Sequence, residues 1–256
     1  MNGGERLLYL ISYLLKERGL KNMDIPKDET ARKLLFRGLM NERPPKDIDD
    51  DFLREQDIYL REELRRRPIV RLSDTEEMRQ GLRLYQGDIT LIEADAIVNA
   101  ANSALLGCFI PNHRCIDNAI HSAAGIGLRL ACRDIMAKQN APEKTGCAKI
   151  TPAFNLPSKY VIHTVGPYIE KTPDKADTAA LASCYGSCLE IAMEHGLKSI
   201  AFCCISTGEY RFPNELAAEI AVKTVQDFIN AASYKMDVIF CVFKDIDYEI
   251  YKRLLR

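Results

Sequence analysis

Apolar residues recur at helical spacing early in the chain and then give way to short β-branched runs. Leu7, Leu8, Ile11, Leu14 and Leu15 share one helical face, and Ala31, Leu34, Leu35 and Leu39 repeat the pattern. A third helix is predicted over 47–67, where Ile48, Phe52, Ile58, Leu60 and Leu64 are available for packing; Pro44-Pro45 and Pro68 punctuate it. From residue 82 the pattern predicts strands at 82–86, 96–99, 160–164, 199–204 and 238–242. Helical stretches alternate with them at about 117–124, 126–139, 177–195, 214–231 and 245–255. This alternation implies an α/β layered domain over 81–256 with a mostly parallel sheet, preceded by a helical extension over 1–80. Such sheets bind ligands at the carboxyl ends of their strands, so chemistry is expected in the loops that follow them.

Composition narrows the class of partner. The 256 residues suffice for one or two domains, and 47% hydrophobic with 28% charged residues describes a folded chain. A net charge of −1 leaves no basic excess for nucleic acid, though a small phosphorylated ligand can be held by backbone amides. The first 80 residues carry 17 basic and 17 acidic side chains, as befits a helical appendage with solvated faces. The longest apolar run, 7–15, is too short for a bilayer and runs into Lys16-Glu17-Arg18, so no membrane and a cytoplasmic location are expected. Nine Cys, an odd number, are expected there mostly as thiols, some of them free to bind metal.

Four loops could carry chemistry. Gly87-Asp88-Ile89-Thr90 follows the strand at 82–86; its carboxylate can accept from an amine or a ribose hydroxyl, or simply cap a turn. Val98-Asn99-Ala100-Ala101-Asn102 ends the next strand, and its two Asn can grip hydroxyls or orient a water, or merely terminate the strand. Cys108, His113 and Cys115 then form a C-x4-H-x-C set whose soft sulfur and nitrogen donors suit zinc if the loop folds round it, a fold that Pro111 and Asn112 favour. Three local ligands leave an open position; a distant Cys such as Cys147 could instead close the site, or the loop could hold no metal at all. Asp117 either caps the helix beginning there or acts as an acid or base beside the metal. Finally, Ser206-Thr207-Gly208-Glu209-Tyr210 connects a strand to a helix opened by Pro213 or Asn214, and its small residues let backbone N–H groups approach an anion. No Walker A loop, strand-following GxGxxG or GxSxG elbow is present, and His121, His163 and His195 read as packed or capping residues.

Taken in order, Gly87–Thr90, Val98–Asn102, Leu105-Leu106-Gly107, Ile116–Gly125, His163–Pro167 and Ile205–Gly208 resemble the macrodomain family, closest to its MacroD-type ADP-ribose hydrolases. The Cys108/His113/Cys115 set is similar to that of a zinc-containing microbial subclass, as is the helical extension. The resemblance implies a three-layer α/β/α fold with a mixed, mostly parallel sheet and an ADP-ribose cleft. Asp88, with the Ile89 backbone nearby, would accept from the adenine amine, and residues 206–210 would wrap the pyrophosphate. Asn99 and Asn102 would hold the distal ribose, and Asp117 matches the catalytic acidic position. One zinc ion would sit on Cys108, His113 and Cys115. Two departures stand out: the family's glycine-rich loop before the acidic residue is longer here and gives its glycines up to the three ligands, and Arg211 replaces a common Gly. The expected activity is removal of mono-ADP-ribose from modified proteins; a non-hydrolysing ADP-ribose reader and a zinc-stabilised scaffold are the competing readings. By analogy with the subclass, a sirtuin-type ADP-ribosyltransferase and a lipoyl-carrier protein are the expected partners.

Overall fold

The computed structural model describes residues 1–20, 23–79, 81–232 and 234–256. The N-terminal part is three helices, α1 (Gly3–Glu17), α2 (Glu29–Glu42) and α3 (Asp50–Arg65). Asn2 opens α1 with a capping box: its side chain accepts from the Glu5 N–H, and Glu5 reaches back to the Asn2 N–H. Leu7, Leu10, Ile11, Leu14 and Leu15 of α1 then meet Phe36, Leu39 and Met40 of α2 and Phe52 and Tyr59 of α3 in a core of their own.

The remainder builds a seven-stranded sheet in the order β1-β2-β7-β6-β3-β5-β4. Its strands are β1 (Glu76–Arg79), β2 (Leu82–Gln86), β3 (Ala96–Ala100), β4 (Ala148–Pro152), β5 (Tyr160–Thr164), β6 (Ser199–Phe202) and β7 (Asp237–Val242). The five inner strands are parallel, and β1 and β4 close the two edges antiparallel. β3 and β7 are almost wholly buried, which is why 96–98 and 238–242 read as unbroken apolar runs. Helices α4 (Ile116–Ala124) and α5 (Ile126–Gln139) cover one face, and α6 (Lys175–Glu194), α7 (Asn214–Ala231) and α8 (Asp245–Leu254) cover the other. No helix among the described residues is long and apolar enough to cross a membrane.

Pattern alone does not anticipate the two edge strands. β1, Glu-Glu-Met-Arg, is polar and mostly exposed, and β4 ends in Pro152; both are edge chemistry without clean alternation. β6 also stops two residues short of the predicted 204, because Cys203 and Cys204 turn out of the sheet. The boundary expected at 80/81 falls on Gln80, outside the described residues; β1, just before it, already belongs to the sheet. All five parallel strands end on one side, and the four loops singled out above lie on or beside that side.

Candidate active site

The centre of the site lies at the end of β3. Asn99 is fully buried, and its Nδ2 donates to Asp117 Oδ1 at 2.8 Å. The same Nδ2 lies 3.1 Å from His163 Nδ1 on the neighbouring strand β5, so that nitrogen is the acceptor. His163 Nε2 then donates to Thr151 Oγ1 at 3.0 Å. Both amide hydrogens of Asn99 are thereby used behind Asp117. Asn102, half-buried, donates from Nδ2 to Asp117 Oδ2 at 3.3 Å and to the Gly107 carbonyl at 3.2 Å, while its Oδ1 accepts from the Ala104 N–H. Two asparagine amides thus grip the two oxygens of one carboxyl.

Asp117 is only 6% exposed. Burial raises its pKa to about 6, even though the hydrogen bonds from Asn99 and Asn102 and the charge of Arg129 work against that rise. Asp117 does not cap α4. Cys115 does, its Sγ accepting from the Asn118 N–H at 3.4 Å, which leaves the carboxyl free to face the asparagines.

The loop between β3 and α4 brings the metal-type donors together. His113 N donates to Ile110 O at 3.2 Å across Pro111 and Asn112, with Asn112 at φ 55°, a type II turn built from the residues such a turn favours. The ligand atoms of Cys108, His113 and Cys115 all lie within 4.8 Å of one another, and Cys108 Sγ is 3.7 Å from His113 Nδ1. Tetrahedral zinc with Zn–S near ~2.3 Å and Zn–N near ~2.0 Å holds its ligands roughly 3.5 Å apart, so the donor set fits that ion in kind and spacing. Burial pushes the Cys115 thiol up to about 12, a cost that a bound cation would offset. Cys147 is not in the group; its carbonyl accepts from Thr164 Oγ1. All nine Cys are free. Gly107 turns into the loop at φ 78°, where a Cβ would lie 2.7 Å from the His121 ring.

A second trio, His121, Cys132 and His163, is equally close but wholly buried, and His163 has both ring nitrogens engaged. It belongs to the packing beneath Asp117.

The loop after β6 presents unused backbone donors. Ser206 sits at φ 65°, and the N–H groups of Gly208, Glu209 and Tyr210 find no protein acceptor among the described residues. The Ser206 hydroxyl, buried and unpaired, lies against Gly166, where a Cβ would be 2.0 Å from its Oγ; no other residue fits there. Thr207 closes the turn with its Oγ1 on the Cys204 carbonyl. Glu209 Oε1 lies 3.6 Å from His113 Nε2, a surface contact too long for a hydrogen bond. Arg211 lies over the Tyr168 ring at 5.7 Å, and Tyr168 packs edge-on against Tyr210.

At the far end, Asp88 Oδ1 accepts from both Thr90 N and Thr90 Oγ1, and Oδ2 accepts from Arg67 Nη2 at 2.8 Å, with Ile89 buried beside it. Desolvation pushes this carboxyl up, but the Thr90 hydroxyl and Arg67 outweigh it and hold it below the ordinary value. Arg67 is one of several residues with no signal in the sequence. Arg37, Asn41 and Arg129, equally without a signal, also reach the site, as does Asn118 from the motif at 116–125. Three of these five come from the charged N-terminal part, where charge density points to solvated faces.

Residues 98–221 match the Macro domain family. The chain is 49% identical over 260 residues to a protein-ADP-ribose hydrolase of Treponema medium, a match spanning 100% of both chains. It is 45% identical over 250 residues to a protein-ADP-ribose hydrolase of Staphylococcus aureus (strain MSSA476), covering 96% of this chain and 94% of that one. Among solved structures, the Trypanosoma brucei macrodomain in complex with ADP-ribose superposes with a TM-score of 0.67 at 29% identity, covering 82% of this chain and 92% of that one.

Proposed function

The chain belongs to the macrodomain family, and from that premise we infer that it is a protein-ADP-ribose hydrolase that removes mono-ADP-ribose from modified proteins. The observation that carries this reading is the Asp117 carboxyl, held by two asparagines at a strand end and raised into the range where a carboxylate is a competent base near neutral pH. A reader needs no such group.

In the proposed complex, the free N–H groups at 208–210 take the diphosphate and Asp88 accepts from the adenine amine, beside the Ile89 backbone. Asn102 faces the distal ribose, while Asn99 acts from behind by fixing Asp117. Asp117 takes the proton of the water that attacks the anomeric carbon. The bond to the protein side chain breaks, and the proton passes to that leaving group. Cys108, His113 and Cys115 would hold one zinc ion, which supplies, when bound, positive charge to polarise a sugar oxygen or lower the pKa of a water. The family resemblance extends the proposal to a cytoplasmic setting, to a sirtuin-type transferase as the source of the modification and to a lipoyl-carrier protein as the substrate.

Release of ADP-ribose from a mono-ADP-ribosylated lipoyl-carrier protein tests this. Asp117→Asn and Asn102→Ala are expected to lose at least ~100-fold in turnover, the usual worth of a positioned acid or base, and Cys108→Ala to lose both bound zinc and activity. Unchanged turnover in these variants, with folding intact, refutes the mechanism. Tight ADP-ribose binding without release by the unaltered, zinc-loaded chain makes the protein a reader.

A further inference from the structure

The Cys108–Cys115 loop is held from outside the sheet domain. Arg37 on α2 donates from Nη2 to the His113 carbonyl at 3.1 Å and to Asn118 Oδ1 at 2.7 Å, and its Nε donates to the same Oδ1 and to Ser122 Oγ. Asn41, one helical turn further and almost fully buried, accepts the Asn112 N–H on Oδ1 at 2.9 Å and donates to Ser122 Oγ. Between them Gly38 presents no side chain, so that Pro111 and Asn112 pack on the helix: a Cβ there would come within 3.2 Å of Asn112 Nδ2. Asn118, gripped by Arg37, in turn donates to the Ile110 carbonyl at 2.9 Å. Arg129 ties the end of α2 to the same loop. Its Nη1 donates to the carbonyls of Met40, Asn41 and Arg43, while its guanidinium stacks at 4.4 Å over Phe109.

The polar backbone of the turn is therefore satisfied largely by two side chains of α2 and by a third, Asn118, that Arg37 orients. We propose that α2 is a positioning element of the active site: Arg37 and Asn41 preset the loop so that Cys108, His113 and Cys115 converge before any ligand arrives. A loop that must otherwise be ordered on binding loses affinity by the cost of that ordering. Partners of this kind around a metal site are worth about 10- to 100-fold in affinity. The metal half of the proposal rests on the zinc reading above; the preset loop does not.

Two measurements on the full chain decide it. In the metal-free protein, backbone amide exchange over residues 109–115 is expected to speed up about tenfold in Arg37→Ala and in Asn41→Ala, with Asn112 most affected. Zinc affinity, read by competition with a chromogenic chelator, is expected to weaken about 10- to 100-fold in both, and less in Arg37→Lys, which keeps the charge but not the planar fork. Gln56→Ala is the control. It cuts an equally buried tie between the N-terminal part and α5 that makes no hydrogen bond to the loop, from Gln56 Oε1 to the Ile126 N–H, and should lower the melting temperature while leaving loop exchange and zinc affinity alone. Unchanged loop exchange in the α2 variants overturns the proposal, as does an equal loss of zinc affinity in Gln56→Ala, which would reduce α2 to general support. If the unaltered chain takes up no zinc, the metal reading fails, and the exchange comparison still decides whether α2 presets the loop.

Discussion

Single side chains in this site are defined by which of their atoms remain unused. Asn99 spends its amide hydrogens on Asp117 and His163, and the ring of His163 is consequently locked in its neutral form. Burial pushes the His163 pKa down to about 3, and burial, aided by the charge of Arg129, pushes His121 well below its usual value. In the unfolded chain both rings titrate near ~6.5. Between those limits the unfolded chain binds more protons than the folded one, so stability is full above pH ~6.5 and is lost as pH falls toward ~3. The urea midpoint is expected to drop on acidification through this window, each ring contributing about 1.4 kcal/mol per pH unit. His163→Gln should shallow that slope whatever it does to stability at neutral pH. An identical slope in the variant would show that this ring is not held neutral.

At the scale of elements, helix ends do much of the work. α4 starts on a cysteine rather than on the aspartate two residues later, which converts Asp117 from a cap into a group facing Asn99 and Asn102. α5 starts against the N-terminal part: Gly125 has no side chain to cap it, and the Ile126 N–H is met by Gln56 from α3. Gln56→Ala leaves that N–H buried and unpaired at a cost of about 1–3 kcal/mol. A thermal melt of this variant should come down by several degrees, at roughly 2–4 °C per kcal/mol for a chain of this size. A melt that does not move would mean that α5 frays there and lets water in.

Among the described residues there are two principal hydrophobic cores, one on both faces of the sheet and one among α1–α3, and Ile126 of α5 is part of the second. Polar ties run beside that contact: Arg129 to the end of α2, and Asn155 to Asp57 and to Arg61 on α3. Pulling the parts separate would break these ties together and expose Ile126 and the apolar residues of α1–α3 packed around it to water, so the parts are expected to unfold together. Calorimetry is expected to show one cooperative transition. Two resolved transitions would show that the helices are an independent unit.

How much of this was legible beforehand follows from the range of each interaction. Periodicity located every inner strand and every sheet-domain helix, because burial on one or both faces writes itself into consecutive residues. The loops at 87–90, 98–102, 108–117 and 206–210 could also be picked out, since each needs its chemistry within a few positions of a strand end. β1 and β4 were not legible, because an edge strand owes its pairing to a neighbour rather than to its own pattern. Nor were Arg37, Asn41, Arg67 and Gln56, which look like any polar residue of a charged helix until folding places a turn or a helix end opposite them. The sequence by itself determined the layered α/β domain, the three thiol and imidazole donors and the acidic residue beside them. Tertiary structure alone decided that the N-terminal helices meet those donors, because a hydrogen bond between residues 37 and 118 leaves no periodic trace in either segment.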